Sequence, residues 1–195
     1  MDKHEIIDYF NSHAQNWDGN MVRNEDIINS ILDNAGVKPK SRVLDVACGT
    51  GVLFPDYMAR NAASVIGIDI APAMAEIAAK KAENETRITV LVGDAESHNF
   101  AENFDCIVIY NAFPHFPNPD NLLSNLTKHL ALGGRLTVAH GMSRERLNRH
   151  HSGSAVHVSR ALTSEHDLMM LLSKYIEVDT IVSDDKTLQV SGVKK

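Results

Sequence analysis

The chain of 195 residues lacks the marks of several large protein classes. No apolar run approaches the roughly 20 residues that cross a bilayer, so a membrane-spanning role is not expected. Cysteine is scarce, with only Cys48 and Cys106. Both lie in or beside apolar stretches, so they read as small core fillers rather than a disulfide or zinc pair, and a reducing cytoplasm is the expected setting. The polar start, Met1-Asp2-Lys3-His4-Glu5, lacks the apolar segment of a secretion signal. Positive charge is in deficit: 19 Lys and Arg against 25 Asp and Glu give a net charge of −6. With no lysine-rich block, nucleic acid is not an expected partner. No repeat or low-complexity segment is present. The length suits one folded domain, residues 1–195, with a sizeable core.

The most informative stretch is Val43-Leu44-Asp45-Val46-Ala47-Cys48-Gly49-Thr50-Gly51. A short apolar run enters a glycine turn and then a helix, the pattern of a buried parallel strand followed by a crossover. Gly49 and Gly51 can take positive φ and let a ligand approach the backbone closely. Free N–H groups at such a turn suit the polar groups of a nucleotide-like ligand. Asp45, near the end of a buried strand, needs a partner, and a cationic or donating ligand would supply one. A second acid, Asp69, closes the next apolar run about 20 residues on, where an acid can grip ribose hydroxyls. The nicotinamide fingerprint G-x-G-x-x-G is incomplete, because Phe54 stands where its third glycine would be. An ordinary strand-to-helix turn, with Asp69 as a helix cap, is the plain alternative.

These residues resemble the first motif of the class I S-adenosylmethionine (AdoMet)-dependent methyltransferases, of the small-molecule, type 11/25-like kind. Val65-Ile66-Gly67-Ile68-Asp69-Ile70, Gly93-Asp94-Ala95-Glu96, Phe104 to Asn111 and Leu132-Gly133-Gly134-Arg135-Leu136 resemble the following motifs in order. The resemblance covers about residues 40 to 140. It implies a three-layer, Rossmann-like α/β fold with a seven-stranded mixed sheet in the order 3-2-1-4-5-7-6, its last hairpin antiparallel, and helices on both faces. It implies AdoMet as cofactor and S-adenosylhomocysteine (AdoHcy) as product. By resemblance, Asp45, Ala47, Gly49 and Gly51 would hold the methionine portion and Asp69 the ribose. Ile70 and Met74 would flank the adenine, Asp94 and Ala95 would hydrogen-bond it with Glu96 beside them, and Asn111 would complete the crevice. Met74 could equally be core filling.

The rest of the chain can be placed around this centre. Residues 1–36 read as two helices broken at Trp17-Asp18-Gly19-Asn20, a candidate lid with Tyr9 and Trp17 as its aromatics. A helix is expected over 52–61, a strand over 64–69, a helix from Pro72, and strands over 87–92 and 104–110. Asn111-Ala112-Phe113-Pro114-His115-Phe116 would form an apolar wall where the methyl group emerges. His115, which titrates near neutrality, could deprotonate an acceptor. A helix over 120–130, capped by Gly133-Gly134, leads to a fifth strand ending at His140. Residues 140–162 read as an acceptor-side insertion. Between Gly141 and Arg160 it carries four arginines and one acid, which suits an acidic acceptor such as a carboxylate or phosphate. His150 and His151, with His140, could face that acceptor. With His157 they could also meet a metal, although their spacing matches no standard metal motif and no metal is expected. Ser164 and Asp167 form a capping-box pattern before a last helix, and two strands over 175–182 and 187–193 close the chain.

The function expected is transfer of the AdoMet methyl group to a small molecule, an acidic one by the charge of residues 140–162, by a cytoplasmic monomer or homodimer. Two other classes stay open: a non-catalytic AdoMet-binding module, and a nicotinamide-dependent oxidoreductase.

Overall fold

Seven strands pair into one sheet in the order β3-β2-β1-β4-β5-β7-β6. A computed structural model describes residues 1–143, 157–160 and 164–195 of the chain. The strands are β1 Arg42–Val46, β2 Ser64–Asp69, β3 Ile88–Val92, β4 Phe104–Tyr110, β5 Leu130–His140, β6 Glu177–Ser183 and β7 Leu188–Val193. The first five are parallel, and β7 runs antiparallel to both β5 and β6. The order and the single reversed strand are those the family resemblance implies.

β1 lies at the centre because its residues tolerate cover on both faces. Val43, Leu44 and Val46 are fully buried, each contributing about 1.5–3 kcal/mol by burial. Leu44 and Val46 join the main core with Ile107, Ile109, Leu136 and Val138. Val43 faces the other way, with Leu53, Phe54, Tyr57, Cys106 and Val108. Both cysteines are free and buried. No helix among the described residues is long and apolar enough to cross a membrane.

Helices α1 Lys3–His13, α2 Glu25–Asn34, α3 Phe54–Ala59, α4 Pro72–Lys81, α5 Pro119–Lys128 and α6 Glu165–Leu172 cover the sheet. Polar side chains accept from backbone N–H groups at three N-termini: Asp2 from His4, Asn24 from Ile27 and Ser164 from Asp167. Pro55, Pro72 and Pro119 lie in first turns, where their missing N–H costs nothing. The break between α1 and α2 is two 3₁₀ turns, Ala14–Asn16 and Asp18–Asn20.

One expectation is corrected. Gly133-Gly134 does not close α5, which ends at Lys128 with His129 as its cap. The pair lies inside β5, where pairing passes from Phe104–Leu130 to Cys106–Arg135. A Cβ on Gly134 would lie 2.9 Å from the Ala131 oxygen and 3.1 Å from the Asp105 oxygen, so the irregularity itself demands glycine.

Candidate cofactor crevice and acceptor site

The carboxyl ends of β1, β2, β3 and β4 carry Asp45, Asp69, Asp94 and Asn111 along one edge of the sheet. Open parallel sheets bind ligands outside such ends. After β1 the chain turns through Ala47, Gly49 and Gly51, all with left-handed φ of 54°, 54° and 78°. A left-handed φ is rare for alanine and sets the tight course of this turn. A Cβ on Gly49 would meet nothing within 4 Å, so there is open room above the turn. Gly51 and Gly67 instead make room for Phe54, whose ring would lie 2.6 Å and 2.8 Å from a Cβ at those positions. The bulk that breaks the nicotinamide fingerprint is thus accommodated by a glycine on β2.

Asp69 accepts from the Gly49 N–H at 2.8 Å and from the Ala71 N–H at 2.9 Å. It therefore ties the glycine turn to the start of α4, and burial raises its pKa despite those bonds. Asp45 is fully buried, and its Oδ2 has no hydrogen-bond partner among the described residues. Burial pushes its pKa up to about 8. The Tyr57 hydroxyl pulls it back, and the nearby charges of Asp69 and Asp56 add to the rise.

Asp94 accepts from the Glu96 N–H at 2.9 Å and from Lys3 Nζ at 2.5 Å. Glu96 accepts from the Asn118 N–H at 2.7 Å and from Asn118 Nδ2 at 3.2 Å, so it also anchors the start of α5. Ala95 is buried, and its carbonyl accepts from Asn125. Helix α1 lies across these strand ends. Ile6, Tyr9 and Phe10 pack with Ile70 and Val158, while Ala14, Phe10 and Trp17 pack with Met74 and Ala71. Ile70 and Met74 thus meet the N-terminal helix, and the lid aromatics contact crevice residues. A cavity of about 410 Å³ at the amino end of the strands, lined by Gly36, Lys38, Ser41, Cys106 and Arg135, includes none of these acids.

On the acceptor side, Asn111 has a φ of 55°, and its Oδ1 accepts from the Gly141 N–H at 2.9 Å, joining the ends of β4 and β5. Phe113 belongs to the main core rather than to an exposed wall. His115 sits on a 3₁₀ turn, its Nδ1 2.9 Å from the Val158 carbonyl and its ring 5.0 Å from Phe10, edge to face. A carbonyl can only accept, so Nδ1 carries the proton and the lone pair of the neutral ring lies on Nε2. His140 is buried at the end of β5, and His157 is exposed, its ring 6.0 Å from Tyr9. His150 and His151 and most of the 140–162 segment lie outside the described residues. No group of three or more metal-ligating side chains occurs among the described residues.

A family model described as "Methyltransferase domain" matches residues 43–134. This segment is a methyltransferase domain. The sheet order is the one that family resemblance implied. The chain is 38% identical over 110 residues to demethylmenaquinone methyltransferase of Thermus thermophilus, covering 55% of this chain and 50% of that protein. It is 30% identical over 142 residues to malonyl-[acyl-carrier protein] O-methyltransferase of Acetivibrio thermocellus, covering 71% and 50%. The chain thus spans about half the length of these curated relatives. Its fold matches the N-methyltransferase NodS of Bradyrhizobium japonicum, solved with AdoHcy, at a TM-score of 0.76 and 15% identity, covering 100% of this chain and 99% of that one.

The crevice of the methyltransferase domain fits AdoMet on its own chemistry. A buried carboxylate oxygen without a donor suits an α-ammonium group, and open space above a glycine turn suits a close-lying chain. Several participants in the domain were not foreseen. Lys3 and Tyr57 are ordinary helix residues in the sequence. Asp18 accepts from Thr50 Oγ1 at 2.6 Å and pairs with Lys81 at 2.6 Å, tying the segment after α1 to the glycine turn. Arg23 grips both oxygens of Asp56 at 2.6 and 2.7 Å and donates to the Val52 carbonyl at 2.6 Å. Asn24 caps α2 just beyond this segment, and nothing local in the sequence marks what Asp18 and Arg23 reach.

Proposed function

We propose that the chain transfers the methyl group of AdoMet to a small-molecule acceptor bound beside the ends of β4 and β5. The observation that carries this reading is the buried, unpaired Asp45 carboxylate oxygen next to the open space over Gly49, flanked on adjacent strands by Asp69 and Asp94. Bound AdoMet supplies a methyl group already activated on a positively charged sulfur. Asp45 and the Ala47–Gly51 turn hold the methionine portion, Asp69 the ribose, and Asp94 with Ala95 the adenine, with Ile70 and Met74 along its faces. Glu96 supports Asp94 through its backbone N–H, and Asn111 holds the β4 and β5 ends together. α1 keeps water from the crevice and fixes the approach of the acceptor. His115, oriented by the Val158 carbonyl, takes the proton from an acceptor that must lose one.

The acceptor is a small molecule carrying an acidic group. Support comes from the basic, histidine-rich composition of residues 140–160, which includes His140, His150 and His151, and from a relative named for O-methylating a malonyl conjugate. Two free buried cysteines suit a cytoplasmic location, and we read residues 1–195 as one domain acting as a monomer or homodimer. Release of AdoHcy in a screen of carboxylic acids, phosphate esters, phenols, thiols and amines tests the proposal. Turnover with an acidic acceptor supports it. Tight AdoHcy binding with no turnover in any class favours a non-catalytic AdoMet-binding module.

A further inference from the structure

Lys3 is the first-turn residue of α1, yet it reaches the far end of β3. Its Nζ lies 2.5 Å from Asp94 Oδ2 and 2.7 Å from Glu96 Oε2. The Glu96 side chain is 3% exposed, and Lys3 is its cationic partner among the described residues. Both oxygens of Asp94 are engaged, Oδ1 by the Glu96 N–H and Oδ2 by Lys3. The remainder of α1 is held over the crevice. Ile6 packs on Ile70, the Asn11 side chain accepts from the Ala73 N–H at 2.9 Å, and Asp18 beyond the helix joins Thr50 and Lys81. The strap is therefore fastened by charge at both ends, and one fastening uses the carboxylate that the proposed function gives to the adenine.

We propose that Lys3 is an electrostatic latch on the adenine subsite: it holds α1 down by occupying Asp94, and cofactor entry moves it off Asp94 while Glu96 retains it. The inference rests on the AdoMet reading above. The two neighbouring acids are what make the latch reversible. A lysine bound to one carboxylate would have to return to water when the adenine amino group took its place. Here it keeps a buried counter-charge 2.7 Å away throughout. Glu96 is in turn fixed by Asn118, so this second contact stays in place whether or not the site is filled. Burial alone would lower the Lys3 pKa, but hydrogen bonds to Asp94 and Glu96 raise it, so the latch is charged at neutral pH.

The test is stopped-flow binding of AdoHcy to the full chain as wild type, Lys3→Met and Lys3→Arg, at low and high salt. Lys3→Met removes the ammonium and keeps the stem. It should associate about fivefold faster at low salt, the factor that a partly exposed ion pair represents. Wild type should approach that rate as salt screens the latch. Lys3→Arg should restore the slow, salt-sensitive association. Amide exchange gives a second readout: residues 3–13 should exchange faster in cofactor-free Lys3→Met, while β1 and β4 should not change. Should Lys3→Met fail to fold, the salt dependence of the wild type and the Lys3→Arg comparison still decide the matter. Wild type that binds AdoHcy at a salt-independent rate, or Lys3→Met that keeps the wild-type rate and exchange, would overturn the latch and leave the AdoMet reading standing. Absence of AdoHcy binding in all three proteins would overturn that reading instead.

Discussion

Replacing Asp45 with asparagine should stabilise the cofactor-free protein while weakening its hold on the cofactor. The folded pKa of Asp45 is raised from 3.8 to about 8, chiefly by burial. An acid shifted upward in the folded state favours folding most below its unfolded pKa. That contribution shrinks as pH rises from 3.8 to about 8 and is level above. At pH 7 the unfolded carboxyl has released its proton and the folded one has not, a difference of about 4 kcal/mol against folding. Asparagine has no proton to retain, so the term vanishes. Its buried NH₂ group needs a partner, and leaving it without one would cost about 1–3 kcal/mol. The Tyr57 hydroxyl, buried beside it, can accept. The net gain should be about 1–3 kcal/mol at pH 7, with each kcal/mol raising Tm by roughly 2–4 °C in a chain of this size. Urea unfolding of both proteins from pH 5 to 8 is the assay. The stability difference should widen by about 1.4 kcal/mol per pH unit. AdoHcy affinity should fall in the variant, because the carboxylate meant for the ammonium is gone. A difference that stays flat with pH, or a variant less stable than wild type at pH 8, would refute the reasoning.

Four further outcomes are expected. Asp69→Asn should weaken AdoHcy binding by about 1–3 kcal/mol in calorimetry, because the substituted side chain serves the Gly49 and Ala71 N–H groups less well and loses its charge at the ribose. Gly67→Ala should destabilise by about 1–3 kcal/mol, since its Cβ would lie 2.8 Å from the Phe54 ring, and Phe54→Leu in the same chain should restore part of that in urea unfolding. Arg23→Met should cost about 3–5 kcal/mol in unfolding, because the Asp56 carboxylate, 8% exposed, would lose its cation. His115→Gln should lower the methyl-transfer rate by about 10²–10⁴-fold with an acceptor that must lose a proton, and leave AdoHcy affinity unchanged in titration.

The backbone plan was readable because its signals are local. Val43 to Val46 and Phe104 to Tyr110 are buried strands and look like it, and Pro72 and Ser164 mark helix starts by chemistry that needs no tertiary partner. Gly133-Gly134 misled because a glycine pair after a helical pattern has the composition of a helix stop. Its true cause is the crowding of Gly134 between Ala131 and Asp105, which only the folded sheet creates. The acids of the crevice were legible because each lies at or beside the end of an apolar run, so pattern and position coincide. Their partners were not. Lys3 meets Asp94 across 91 residues of chain, and Arg23 meets Asp56 across 33. A helix-surface lysine carries no mark of the carboxylate it will find. Glu96 shows the same limit, since its place in the motif suggested the ligand, while its own bonds also serve Asn118 and Lys3.

The central claim is that the strand ends bearing Asp45, Asp69 and Asp94 form an AdoMet site. Titration calorimetry of the full chain with AdoHcy, with NADH as the comparison ligand, tests it most directly. The account predicts one saturable AdoHcy site per chain, weakened by Asp69→Asn, and no heat from NADH. Absence of AdoHcy binding, or binding of NADH in its place, would contradict it.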